Sequence, residues 1–142
     1  MKKFILSIAM LATAAFSINA LTFEEFFSKC ETISGQSAMI ISGESVPELQ
    51  EAKVNSVKVL AINPASDNVI ASISEAAKEI TVTEETISVK NNDEDENNRV
   101  YILPSGDKAE ILVININNDK KECNVVKVDG DISILSNPNF HF

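Results

Sequence analysis

Apolar residues recur with helical spacing in two segments of the chain. In the first segment, the apolar residues at i, i+3, i+4 and i+7 are Phe23, Phe26, Phe27 and Cys30. Thr22 and Glu25 form a T-x-x-E capping box at its start, and Gly35 follows its end. The second segment starts at Ser66 or Asp67, and its apolar face comprises Val69, Ile70, Ile73, Ala76, Ala77 and Ile80. We predict a helix for each, and a third, weakly patterned helix at 48–53.

The remaining apolar residues form short runs or alternate with polar ones, as strands do. Two runs, S-A-M-I-I-S at 37–42 and V-K-V-L-A-I at 57–62, predict buried strands. Later alternating segments predict four more strands, at 86–90, 99–103, 110–116 and 123–128. Their connections are a long polar loop at 91–98 and turns at 105–107 and 117–119. The predicted fold is α+β: a mostly antiparallel sheet with a C-terminal four-strand meander and two to three helices packed on one face.

The first twenty residues have the pattern of a secretory signal peptide. Lys2 and Lys3 precede an apolar run from Phe4 to Phe16, and Ile18-Asn19-Ala20 offers a cleavage site. We therefore expect an exported protein, periplasmic or secreted, with residues 1–20 removed after Ala20, a single domain at 21–135 and a flexible tail at 136–142. Leu21 replaces the cysteine that a lipoprotein needs, so we expect no stable membrane anchor after cleavage.

The net charge of the chain indicates which classes of partner it disfavours. The chain has 12 basic and 21 acidic residues and a net charge of −9, which becomes −9 − 2 = −11 when Lys2 and Lys3 are removed. Nucleic acids and anionic membranes both attract Lys and Arg, so this balance argues against either as a partner.

Cys30 and Cys123 are the two cysteines of the chain. An exported compartment permits a disulfide between them, and its loop of 123 − 30 = 93 residues would stabilise the fold by about 4 to 5 kcal/mol in the chain-entropy model. The alternative is two separate thiols. The sequence favours that alternative, because Cys123 shares a mixed apolar and charged face with Val125 and Lys127.

Other candidate sites have simpler interpretations. Asp93 and Asp95 are spaced like ligands of a calcium loop, but Asn98 stands where that loop needs glycine, so a solvated hairpin is favoured. Tyr101 could be an exposed aromatic contact; a cross-strand packing role is the favoured alternative. His141, the single histidine, lies beside the C-terminus. We find no catalytic set, no zinc spacing and no phosphate loop, and we expect a protein that is not an enzyme and has no cofactor.

The order of these segments resembles a known family. A Phe-rich helix (F-E-E-F-F), the M-I-I and V-K-V-L strands and a long helix precede R-V-Y-I-L, A-E-I-L-V-I-N-I and N-V-V-K-V-D-G-D-I. From Phe23 to Ile134 the chain is similar to domain-of-unknown-function family 4252, small exported proteins of gram-negative bacteria. The resemblance implies a compact α+β envelope protein without an established activity, and it supplies no site residue. The chain departs from the family in its lack of a lipobox cysteine and in its long Asn/Asp/Glu loop.

These observations lead to two hypotheses about function. The first is a non-catalytic envelope or periplasmic module that binds a protein or peptide through an exposed sheet face or edge. The alternative is a small enzyme or ligand-binding carrier with a pocket between the long helix and the sheet.

Overall fold

The computed structural model describes residues 21–82, 86–92 and 96–136. The predicted signal peptide, Asp93, Asp95, His141 and the tail beyond Ser136 lie outside these ranges. The helices are α1 (Phe23–Ser34), α2 (Pro47–Glu51) and α3 (Asp67–Ala77), with 3-10 turns at Gly43–Ser45 and Ile132–Ser136. The strands are β1 (Met39–Ser42), β2 (Val54–Ile62), β3 (Ile87–Asn92), β4 (Glu96–Ser105), β5 (Lys108–Asn117) and β6 (Glu122–Asp131).

Local side-chain chemistry sets the helix ends. The Thr22 hydroxyl accepts a hydrogen bond from the Glu25 amide, and the Glu25 carboxylate accepts one from the Thr22 amide at 2.9 Å. Gly35, at φ 70°, ends α1 in the left-handed region that glycine enters without strain. At α3 the Ser66 hydroxyl accepts from the Val69 amide. The predicted capping box and the Ser66 cap are both confirmed.

The six strands form one antiparallel sheet in the order β1-β2-β6-β5-β4-β3. The predicted α+β class is confirmed. Strands β3 to β6 are each hydrogen-bonded to the next along the chain, while β6 also pairs with β2 and so joins the two early strands to the rest. The last strand in the sequence therefore lies in the interior of the sheet.

Helices α1 and α3 cover one face of the sheet. Their inward side chains pack on alternate residues of β2, β4, β5 and β6, and this core buries Phe23, Phe26, Phe27, Cys30, Leu60, Ile62, Ala65, Ile70, Ile73, Ala76, Ala77, Ile80, Tyr101, Leu112, Ile114, Ile116, Cys123 and Val125. The apolar faces of the two predicted amphipathic helices therefore pack on the same face of the sheet and form one core with it.

The prediction that all helices lie on one face is wrong for the short helix. Leu49 and Ala52, in α2 and at its end, pack on the opposite face, in a second cluster with Ile134 of the 3-10 turn Ile132–Ser136. The fully buried part of this cluster lies at one end of that face, and Val57, Val100, Ile102, Val113 and Val126 pack against it while partly buried. Its buried members are Val54, Ala109, Ile111, Val128 and Ile134. The five residues of α2 have too little apolar pattern to reveal which face they meet.

Two further expectations need correction. The M-I-I run was predicted as a buried strand, but β1 lies at the sheet edge, where Met39 and Ile40 are 65% and 66% exposed. An apolar run does not distinguish an edge strand from an interior one. The predicted loop at 91–98 is also too long, because the β3–β4 ladder continues through the pairs Asn91 with Asn98 and Asn92 with Asn97. Backbone pairing there overrides the low strand propensity of asparagine.

Candidate functional site

The face of the sheet away from α1 and α3 carries two continuous rows of aliphatic residues. Residues directly opposite each other on paired strands share a face, so the strand register defines each row. One row is Ile41, Val57, Val128, Ile111, Ile102 and Ile87, and it crosses all six strands. The next row is Met39, Val59, Val126, Val113 and Val100, from β1 to β4. We call these eleven residues the aliphatic face.

Exposure varies across the aliphatic face in a regular way. The 3-10 turn Ile132–Ser136 and α2 lie over one end, where Ile111 and Val128 are buried. The row of valines beyond them is only half-buried, and the outer members Met39 and Ile87 are 65% and 51% exposed. A β-branched surface that half faces water is unusual for the outer face of an antiparallel sheet, where polar residues normally alternate with the core positions.

A polar row limits the aliphatic face at its other end. Asn98, Asn115 and Asn124 are directly opposite one another on β4, β5 and β6, and Asn115 and Asn124 are exposed. The face therefore has a covered end, an aliphatic middle and an amide-lined border. None of its eleven residues is charged, although the whole chain carries a net charge of −9.

Tyr101 does not belong to this surface. It lies on the opposite side of β4 from Val100 and Ile102, as its alternation indicated, but that side is the one covered by helices. Its side chain is 3% exposed, and its ring centroid lies 6.2 Å from that of Phe23. The possibility of an exposed contact is therefore wrong, because α1 covers the position, and the favoured interpretation of Tyr101 as a packing residue agrees with its burial.

A buried lysine is the main feature that the sequence analysis missed. Lys127 is 2% exposed and sits on the helix-covered side of β6. Its ammonium nitrogen lies 2.7 Å from both carboxylate oxygens of Asp129, 3.3 Å from Glu110 and 3.6 Å from Glu24 at the start of α1. Glu24 also binds Lys58 on the neighbouring strand. We call these five residues the ion cluster. The Lys127 ammonium therefore lies between the carboxylates of Asp129, Glu110 and Glu24.

The ion cluster keeps Lys127 charged. Burial alone would lower the pKa of Lys127, but the hydrogen bond from its ammonium to Asp129 and the charges of Asp129, Glu110 and Glu24 outweigh burial and raise it. A protonated amine cannot act as a nucleophile or form a Schiff base, which fits a structural role. Because the folded pKa is raised, this contribution to stability is present below the ordinary pKa of 10.5 and is lost as pH rises through the folded value.

A groove of about 290 Å³ lies beside the ion cluster, lined by Asn55, Ser105, Lys108, Ala109, Glu110, Asp129 and Gly130. A second groove, of about 410 Å³, lies on the outer side of α1 and α3. The alternative function expected a pocket between the long helix and the sheet. At that place Ile70, Ile73 and Ala77 of α3 are packed into the core, so these two grooves lie elsewhere.

Glu24 gives the fold a testable acid dependence. Its hydrogen bond with Lys58 holds the pKa of Glu24 below the usual 4.5, with a smaller contribution from Lys127. A lowered folded pKa stabilises the protein above pH 4.5 and ceases to do so as pH falls through the folded value. We expect the unfolding midpoint in urea to fall less steeply between about pH 5 and pH 3 in Glu24→Gln than in the wild type. Lys58→Met should flatten the same curve; unchanged slopes in both variants would contradict this role.

Cys30 and Cys123 are both fully buried in the core beneath α1. The face shared by Cys123, Val125 and Lys127 looks mixed in the sequence, yet all three side chains are buried because the ion cluster neutralises the lysine. Asp93 and Asp95 lie outside the described residues, and a divalent-ion site there stays untested.

Comparison with known proteins assigns no family to this chain. No family model matches it, and neither a curated protein nor a solved structure shows a significant match. The resemblance to family 4252 therefore stays a prediction. Within the ranges 21–82, 86–92 and 96–136, no helix is both long and apolar enough to span a membrane.

Proposed function

We propose that this protein is a non-catalytic, exported envelope module that binds a protein or peptide partner through the aliphatic face. One observation carries the proposal: two uncharged aliphatic rows run across the sheet, and in the row from Met39 to Val100 the side chain of Met39 is 65% exposed while the four valines are only partly buried. Contiguous exposed apolar surface costs solubility, and soluble proteins usually retain it only where another molecule covers it. The strongly acidic remainder of the chain keeps the free protein in solution.

The chemistry of the aliphatic face defines the partner's contact surface. Because no charged residue lies in the two rows, the partner should also present an uncharged apolar surface, such as the aliphatic face of a helix or of another sheet. Dissociation should then depend little on salt, since added ions screen only interactions between charges. The amide row at Asn115 and Asn124 supplies hydrogen-bonding groups at the border of such an interface.

A small-ligand carrier is the second candidate, and the groove beside the ion cluster favours it. Glu110 and Asp129 line this groove and are about one-third exposed. Their carboxylates already bind the Lys127 ammonium, so a ligand would have to compete with a buried intramolecular partner. The aliphatic face needs no such exchange, which makes it the better supported site.

The first test is site-specific photocrosslinking in the cells that produce the protein. A photoreactive amino acid at Met39, on the rim of the aliphatic face, should give a discrete adduct with one partner, identified by mass spectrometry. The same group at exposed Ser72 on α3 should not give that adduct. Val113→Thr with Val126→Thr should lower the Met39 adduct about tenfold, because two buried methyl groups contribute together about 1.6 kcal/mol.

A matched control is available on the same strand. Asn115→Thr lies two residues beyond Val113 on the same face but outside the aliphatic rows, and it should leave the adduct yield within about twofold of wild type. Equal adducts from Met39 and Ser72, or a Met39 adduct that survives the double valine variant, would rule out the aliphatic face as the binding surface. Urea unfolding of each variant would confirm that the folded state is retained.

A further inference from the structure

Strand β1 is one edge of the sheet, and within the described part of the chain no strand pairs with its outer side. An edge strand presents backbone N–H and C=O groups that another strand can bind, and natural edges are often protected by charges, prolines or bulges. Residues 36–43 contain no charge and no proline, and β1 pairs with β2 without a register shift. Its adjacent residues Met39 and Ile40 are on opposite faces and are 65% and 66% exposed.

A second copy of the chain matches this edge when the two β1 strands run antiparallel. Directly opposite residues share a face, so a two-fold axis normal to the sheet can pass through Ile40. Ile40 then lies opposite its own counterpart, and Met39 lies opposite Ile41 of the second copy. Moving the axis by one residue would place Ile40 opposite Ala38 or Ser42 instead. The register centred on Ile40 is therefore the one that covers both exposed side chains with large apolar partners.

The same register continues the aliphatic face across the axis. Met39 belongs to one row of that face and Ile41 to the other. Because Met39 meets Ile41 of the second copy, each row of one copy runs into the other row of its neighbour. Two six-stranded sheets then form one continuous sheet with a single uncharged aliphatic face of double width. An unrelated strand would not provide this continuity.

The charges beside the edge also allow a second copy. Glu44 is exposed in the turn after β1. It lies opposite Gln36 of the second copy, because both are four residues from Ile40. The two Glu44 side chains are therefore at opposite ends of the paired strands. The Glu31 carboxylate accepts a hydrogen bond from the Ala38 amide of its own chain at 2.9 Å. The centre of the paired edges is thus free of charge.

We propose that the protein forms a two-fold symmetric dimer in which the β1 edges of two copies pair antiparallel, with Ile40 on the axis. This inference goes beyond the proposed function, because the edge of the sheet joins the copies and the aliphatic face stays open for another partner. The strand has only four residues, so the interface is small and the dimer is weak and reversible. Both copies are acidic, so salt should strengthen the dimer by screening their repulsion.

Sedimentation equilibrium of the purified chain without residues 1–20 is the first test. The average mass should rise with concentration from one chain to two, and the dissociation constant should be smaller at higher salt. Ile40→Lys places two ammonium groups on the axis and should raise the dissociation constant about tenfold or more. Ser72→Lys makes the same charge change on the exposed side of α3 and should change it less than about twofold. Wild-type protein that stays monomeric, or that associates beyond a dimer, would overturn the proposal.

Chemical crosslinking tests the register. In Ile40→Cys a short thiol-to-thiol crosslinker should join the two copies, because directly opposite Cβ atoms are about 5 Å apart. Ser42→Cys is the matched control on the same face of the same strand. Its counterpart lies four residues, or about 13 Å, further along the neighbouring strand, so it should give little product. The native thiols of Cys30 and Cys123 are buried and should not react. Equal yields at residues 40 and 42 would contradict the register.

The dimer and the proposed partner interface can fail independently. Val113→Thr with Val126→Thr changes β5 and β6, away from the β1 edge. This double variant should keep the dimer and lose the Met39 adduct with another protein. Ile40→Lys should lose the dimer and keep that adduct. A dimer that disappears in the double valine variant would show that the copies meet through the aliphatic face, and would overturn the pairing of edges. Urea unfolding of each variant checks that the folded state is retained.

Discussion

Replacing Lys127 by methionine should lower the free energy of unfolding by about 3 kcal/mol, which is typical for the loss of one partner from a buried ion pair. The substitution keeps most of the side-chain volume but leaves Asp129, Glu110 and Glu24 without the ammonium that they surround. The three carboxylates are 30% to 51% exposed, so water relieves part of the repulsion. The measurement is urea unfolding at neutral pH.

Two further variants make this test specific for the ion cluster. Lys78→Met removes an exposed lysine whose partner is Glu75, and it should change stability by less than about 0.5 kcal/mol. Adding Asp129→Asn and Glu110→Gln to Lys127→Met should recover most of the lost stability, because the uncompensated charges are then gone. If Lys127→Met is as stable as the wild type, the ion cluster does not stabilise the fold.

Gly43→Ala should be similarly damaging, with a loss of about 3 kcal/mol or more. Gly43 is buried where the chain leaves β1, and a Cβ at this position would overlap the carbonyl oxygen of Val54 at the start of β2. Backbone cannot move aside as the end of a flexible side chain can, so the packing of the β1 end against β2 must open. Thermal or urea unfolding measures the loss.

Gly35→Ala is the matched control. Unlike Gly43, Gly35 has a positive φ, and a Cβ there meets nothing within 4 Å. It should cost only the strain of a non-glycine residue in the left-handed region, about 1 kcal/mol. A Gly43→Ala protein no less stable than Gly35→Ala would show that β1 is loosely held. The rim residue Met39 would then be an unreliable part of the aliphatic face.

Local patterns predicted much of the fold. Helical spacing from Phe23 to Cys30 and from Val69 to Ala77, with caps at Thr22 and Ser66, located the two helices that cover the sheet. The strand positions followed from alternation. Helix caps and hydrophobic periodicity depend only on residues that are close in the sequence. They were sufficient here because the tertiary contacts favour the same helices and strands.

The candidate site required information that a single strand does not contain. The aliphatic face is a property of register: Val59, Val126 and Val113 form a row only because β2, β6 and β5 pair as they do. The sequence placed Lys127 on a mixed face, and nothing near it in sequence reveals Glu24 or Glu110 as its partners. For the same reason the sequence left an exposed contact at Tyr101 open beside the favoured packing role, because alternation gives the side of a strand but not which side the helices cover.

The interior position of β6 has a consequence for the order in which the protein folds. Leu60 pairs with Val125, a separation of 125 − 60 = 65 residues, whereas β3, β4 and β5 pair with near neighbours in the sequence. Non-local pairing is slow because loop closure precedes the contacts that reward it. Until β6 is added, β2 and β5 each lack a hydrogen-bonded neighbour on one side. The sheet is therefore incomplete until the last strand has been synthesised.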